Sequence, residues 1–217
     1  MSFLNDWLQY YPTLLSGLWV SVRLAGLSLL IGLPSGLLLA LGARASSRPL
    51  RVCTIVLVEI GRGTPALVVL QVVYFGLPTV HLTFSSFVAG ALALALTTAA
   101  YTSEILRGGL QAVPAGEVEA SRALGMAQRD TLRFIVIPQG VRIAIPALMG
   151  FSILIFQATS LTYTIALPEL MSQAYSTGSA TFRYMSVLSL AGLLYAAITI
   201  PASWLSERAE KRLARHL

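Results

Sequence analysis

Long apolar runs alternate with short joints that carry most of the charge. Five runs reach the length of a membrane crossing, over residues 14–41, 52–75, 84–106, 134–157 and 185–204. A hydrocarbon layer roughly 30 Å thick takes about 20 apolar helical residues to cross. A soluble core has no need of such continuity, so each run predicts a transmembrane helix. The pattern predicts an all-α integral membrane protein of five transmembrane helices.

The joints give the orientation. Arg44, Arg48 and Arg51 stand in the first joint, and none of the residues 76–83 is basic. The third joint holds Arg107, Arg122, Arg129 and Arg133, the fourth only Arg183, and the tail Arg208, Lys211, Arg212 and Arg215. Alternate joints thus carry eleven basic residues against one. Since positive joints stay in the cytoplasm, the N-terminus is expected outside and the C-terminus inside. Residues 1–13 form an external segment, 14–206 one membrane domain, and 207–217 a basic cytoplasmic tail. The opening MSFLNDWLQYYPT has no basic n-region, so no secretory signal peptide is expected. The fourth joint contains LTYTIALPEL, which is too short to cross and reads as a re-entrant or interfacial helix.

Small residues recur on the first span at Ser28, Gly32, Gly36 and Ala40, and on the third at Ala89, Gly90, Ala91, Ala93 and Ala95. Such stripes allow close helix approach and read as packing. Composition changes this picture little. Apolar residues make up 56% and charged residues 11%, and the net charge is +6. The basic residues are scattered between spans, not gathered on one face, which argues against nucleic acid. One cysteine, Cys53, allows no internal disulfide and argues against a thiolate metal site.

Several chemistries lack their residues. The only lysine, Lys211, is followed by Arg212, so no P-loop is present and the chain is not expected to hydrolyse ATP. His81 and His216 make no H-E-x-x-H, and no G-x-S-x-G occurs. Polar groups at membrane depth remain: Arg23, Glu59, Arg62, Glu104, Arg142 and Gln157. Such groups are costly and point to function. Glu104 and Arg142 lie near cytoplasmic helix ends, where snorkelling or pairing would suffice. Glu59 and Arg62 share a helix face and lead into Gly61-Arg62-Gly63-Thr64-Pro65, which predicts a loosened second span. They read equally as part of a transport path or as an internal ion pair that fixes packing.

The most charged stretch is EVEASRALGMAQRDTLRFIVIP, 117–138. Pro114 suits a first helical turn, and Glu117 and Glu119 suit the positive end of the helix dipole. Gly125 stands where a left-handed cap ends the helix, predicted over 115–124. Ala120, Ser121 and Leu124 are placed on one small, shallow face. A second helix over 127–134 leads into the fourth span through Pro138. A short helix held on two spans reads as a docking element, and its apolar face is too meagre for a helix lying on the bilayer.

Glu119-Ala120-Ser121-x3-Gly125, followed after nine residues by Ile135-Val136-Ile137-Pro138, resembles the EAA loop of bacterial ABC importer permeases, E-A-A-x3-G-x9-I-x-L-P. Ser121 and Ile137 depart mildly from that pattern. Arg62-Gly63-Thr64-Pro65, Arg107-Gly108-Gly109 with Val113-Pro114, Pro138-Gln139 with 142–146, and Thr159-Ser160-Leu161 are similar to the polar amino-acid branch of that family. Many members have Lys-Asp or Lys-Asn before Thr-Ser-Leu; this chain has Gln157-Ala158, so a role for that lysine does not carry over.

The resemblance implies a type I ABC importer permease, a multi-pass protein of the bacterial inner membrane. The implied partners are ABC ATPase subunits that use ATP and Mg2+, an extracytoplasmic substrate-binding protein, and a second permease subunit. Gln157-Ala158 tilts that partnership towards a heterodimer. The ATPase-coupling residues implied are Glu119, Ala120, Ser121 and Gly125. The translocation path is expected along Glu59, Arg62, Gly63, Thr64, Pro65, Gln157, Thr159 and Ser160. The other reading of the residues is an ion-coupled secondary transporter or channel built on Glu59 and Arg62.

Overall fold

A computed structural model describes residues 3–213, with side chains from residue 5. Arg215 and His216, at the end of the basic tail, lie outside the described residues. The described chain is helical and has no strand. Its main elements are α1 (Phe3–Gly42), α2 (Arg48–Gly63), α3 (Ala66–Gln71), α4 (Ser86–Gln111), α5 (Ala115–Ala123), α6 (Gln128–Thr131), α7 (Ile137–Ala158), α8 (Leu170–Thr181) and α9 (Tyr184–Leu213).

Four stretches are long and apolar enough to cross a membrane: Asn5–Gly42, Ser86–Gln111, Gln128–Ile165 and Tyr184–Leu213. The span expected over 52–75 is not one rod. Arg48–Gly63 and Ala66–Val80 meet at a bend of 100°. Proline lacks an N–H and drives the residue before it out of the helical region, and Thr64 is accordingly extended at φ −94°, ψ 126°. The two flanking glycines act differently from that proline. A Cβ at Gly61 would stand 2.7 Å from Ala100 Cβ on α4, so Gly61 permits a close approach, whereas Gly63 faces open space.

α4 is the central post. Fifteen of its residues are buried, almost all of them small or hydroxylic apart from three leucines. The stripe on α1 lies against it: a Cβ at Gly32 would strike Thr98, and one at Gly36 would strike Thr102. Ser28 and Ala40 are buried in the same seam. Both stripes therefore serve packing.

Three regions depart from the expected pattern. The helix expected from residue 14 begins at Phe3, because polar contacts hold the opening turns: Asp6 pairs with Arg183, and Trp7 Nε1 donates to Ser186 O at 2.9 Å. In the fourth joint the apolar run is no helix of its own. Thr159–Ile165 continues α7 as a 3-10 stretch, Ala166 turns at φ 56°, and the helix, α8, starts only after Pro168 and Glu169. The helix expected over 127–134 is a single turn, α6, that passes through a π-type stretch, Leu132–Val136, into α7.

Candidate functional site: the coupling segment and the broken span

α5 starts after Pro114, which takes φ −56° and so occupies the cap position before the first turn. At the other end Gly125 adopts φ +79°. Its N–H reaches Arg122 O at 2.9 Å, and the Met126 N–H reaches Ser121 O at 3.0 Å. These two bonds make a Schellman cap. The predicted C-cap glycine is present, and the helix ends at Ala123, one residue early.

The shallow face is divided. Ser121 is buried; its hydroxyl donates to Val118 O at 2.8 Å and lies 3.0 Å from Thr131 Oγ1. Ala120 and Leu124 point outward with Glu119, and Leu124 is 83% exposed. Successive helix positions differ by about 100°, so Ala120 and Ser121 cannot share a narrow face. Ser121 thus anchors α5 to α6 and presents nothing outward. Val118 and Leu132 pack against a cluster of Leu106, Leu110, Val113, Val136 and Ala144, which seats the segment on α4 and α7. Gln139 Nε2 donates to Glu117 Oε2 at 3.3 Å and ties the first turn of α5 to α7.

The broken span carries a chain of charges. Arg62 Nη1 stands 3.2 Å from Glu59 Oε1 and 3.7 Å from Glu104 Oε2. Arg107 grips Glu104 with both arms of its guanidinium, Nε to Oε1 at 2.9 Å and Nη2 to Oε2 at 2.6 Å. Such fork pairing fixes geometry as well as charge. The carbonyl of Arg62, at the break, accepts from Tyr101 OH on α4 at 3.0 Å. Glu59 stays 63% exposed. A polar cavity of about 280 Å³ opens beside the chain, lined in part by Arg44, Glu59, Ser103, Glu104 and Arg107. Arg107 lies in the last turns of α4, shortly before α5.

The other expected path residues separate. Gln157 is exposed, and Ser160 donates to Gln157 O at 2.8 Å from a partly exposed position. Thr159 is fully buried, with its hydroxyl on Phe156 O at 2.7 Å, so its side chain lines no path within this chain. Gln71 Nε2 reaches Thr164 Oγ1 at 2.9 Å and joins the segment after the break to the 3-10 stretch. Arg23 rests over the Phe87 ring at 5.4 Å, and Arg142 is exposed.

Sequence reasoning missed Glu169. It is fully buried and caps α8, accepting from Met171 N at 2.8 Å and Ser172 N at 2.7 Å. Ser21 Oγ at 3.2 Å and Tyr195 OH at 3.0 Å donate to the same carboxylate. Burial pushes its carboxyl above the ordinary range, and the four hydrogen bonds pull it back in part. The available signal was a proline followed by an acidic residue at the head of a helical stretch.

Among the described residues no group of His, Cys, Asp and Glu is arranged to hold a metal. The family profile described as "Binding-protein-dependent transport system inner membrane component" matches residues 32–215. The chain is 32% identical to the arginine transport system permease protein ArtQ of Bacillus subtilis, over 93% of each chain. It is 38% identical to the nopaline transport system permease protein NocM of Agrobacterium fabrum, over 97% of this chain and 91% of that one. A crystal structure of an amino acid ABC transporter with histidines contains a chain that superposes with a TM-score of 0.91 at 34% identity, covering 98% of this chain and 99% of that one. Matched by that profile over most of its length and superposing over nearly all of it, the chain belongs to the family of inner-membrane components of binding-protein-dependent transport systems, the permease subunits of ABC importers.

Proposed function

We propose that this chain imports polar amino acids or close chemical relatives as one of two permease subunits, with substrate delivered by an extracytoplasmic binding protein. Two ATPase subunits, which hold ATP and Mg2+, dock on α5 through Glu119, Ala120 and Gly125, and Ser121 keeps that helix in place. The observation that carries this reading is the nine-residue helix α5, closed by Gly125 and seated on the ends of α4 and α7. The relatives' names supply the solute class. An ion-coupled carrier built on Glu59 and Arg62 is disfavoured, because the two charges are already paired with each other and Arg62 also lies beside Glu104.

The path runs beside the break at Arg62, Gly63, Thr64 and Pro65, with Glu59 adjacent and Gln157 and Ser160 further along; Thr159 supplies shape only. An unlike second permease fits better than an identical one, since Gln157-Ala158 lacks the basic-acidic pair common in this branch. Reconstitution of the complex tests the assignment. The complex is expected to retain an ATPase in detergent and to transport only with ATP and binding protein. Transport by this chain alone, without ATP, would refute it. In the same complex Arg62→Ala is expected to abolish transport and leave assembly intact; failed assembly would reassign Arg62 to packing.

The orientation proposed is N-terminus outside and C-terminus inside, on the strength of the arginine-bearing joints. Cysteines placed at His81 and Gln128 of a Cys53→Ser protein test it with an impermeant thiol reagent applied from outside. Labelling at 81 and none at 128 is expected, and the opposite pattern would invert the topology.

A further inference from the structure

Between α1, α7 and α9 lies a cleft of about 370 Å³ whose wall is almost wholly apolar. Gly26 and Leu29 of α1, Met149 and Phe156 of α7, and Ile198 and Leu205 of α9 mark its two ends. The helix directions agree: Leu29, Met149 and Leu205 stand at one end. Phe156 closes the other, its ring meeting Tyr195 edge-on at 5.5 Å. The lining hydroxyl of Ser152 is spent on Leu148 O at 2.8 Å. Thr199 adds one further hydroxyl to an otherwise apolar lining that carries no charge, too little to recognise a polar solute, so its chemistry suits a hydrocarbon chain.

At the open end the surface changes character. Leu205 also lines a second pocket, about 410 Å³, with Arg208, Ala209, Arg212 and Leu213. Ile198, Leu205 and Arg212 follow one another along one side of α9 at seven-residue spacing. At about 100° per residue, Glu207 and Glu210 project from the opposite side. Neither Arg208 nor Arg212 has an ion-pair partner among the described residues. An apolar slot therefore runs into a pair of unengaged guanidinium groups at the membrane edge, which is the layout of an acyl chain joined to an anionic headgroup.

We propose that this cleft binds an anionic glycerophospholipid of the leaflet on the side of Arg208 and Arg212. One acyl chain fills the slot between α1, α7 and α9, and the phosphate lies between the two arginines. Gly26 gives a clean means of testing the slot, since a Cβ there meets nothing within 4 Å. Gly26→Leu thus enters the slot from a helix interior with an unobstructed Cβ.

The assembled complex, in nanodiscs of mixed phosphatidylglycerol and phosphatidylcholine, is to be released and weighed by native mass spectrometry. Wild type is expected to keep one phosphatidylglycerol per copy of this chain. Arg208→Gln with Arg212→Gln should lower its preference over phosphatidylcholine about tenfold. Gly26→Leu should lower retention of both lipids while thermal stability holds. Equal retention of the two lipids by wild type, or retention unchanged in Gly26→Leu, would overturn the proposal. A disulfide from Gly26→Cys to another subunit would also overturn it, by assigning the cleft to protein.

Discussion

Gly125→Val is expected to lower transport by the assembled complex about tenfold while ATP hydrolysis continues. The cause is conformation, not space. A Cβ at Gly125 meets nothing within 4 Å, but the backbone there sits at φ +79°. An L-residue pays about 1–2 kcal/mol in that region and a β-branched one more. Each 1.4 kcal/mol is a tenfold change in population. Valine therefore opens the cap that holds the Met126 and Gly125 N–H groups on Ser121 and Arg122. It lets the end of α5 swing away from its seat on α4 and α7, where the ATPase is proposed to dock. Asparagine, which tolerates this region, should restore most of the coupling. Comparing Val, Asn and wild type for transport per ATP hydrolysed decides the matter. Equal coupling in all three would remove α5 from the energy-transfer route.

Glu169→Ala is expected to cost about 3 kcal/mol of stability and to lower the yield of assembled complex. The carboxylate serves four donors: two backbone N–H groups at the head of α8 and the hydroxyls of Ser21 and Tyr195. Loss of a cap costs about 1 kcal/mol, and each buried donor left without a partner adds about 1–3 kcal/mol. Glu169→Gln keeps an acceptor but turns an amide N–H2 towards groups that donate, so an intermediate loss is expected. Burial raises this carboxyl above 4.5, so folding favours its protonated form. The part of its contribution that comes from proton uptake, separate from those four bonds, is fullest below that value and declines as the pH rises through the raised one. Thermal unfolding across that window should fall with pH in wild type and flatten in Glu169→Gln. Parallel profiles would show that Glu169 does not titrate on unfolding.

These two residues mark how far sequence reasoning reaches. Gly125 was legible because a glycine after a short helix has a local explanation, and the cap it forms involves only its neighbours. The apolar runs were legible for a similar reason, since a bilayer imposes its thickness on each of them separately. Ser121 was misplaced because α5 has nine residues and few apolar ones, too little periodicity to tell the inward side from the outward. Glu169 was passed over because two of its partners, Ser21 and Tyr195, lie 148 and 26 positions away. Nothing near it announces that water is excluded. The early start of α1 was hidden likewise: Asn5, Asp6 and Gln9 read as polar and external, and the helix depends on distant Arg183 and Ser186.

The ties between α1 and the last two helices also impose an order in time. Synthesis delivers α1 to the membrane well before α9, while Asp6, Trp7 and Ser21 wait for partners at Arg183, Ser186 and Glu169. These contacts span nearly the whole chain, so they contribute nothing to early intermediates. Until α9 arrives, the acidic head of α8 lacks its Tyr195 partner and Trp7 of α1 lacks its Ser186 partner. The contacts at the head of α1 and α8 are thus completed by α9, and a nascent chain halted before Tyr184 lacks both the Tyr195 and the Ser186 contact.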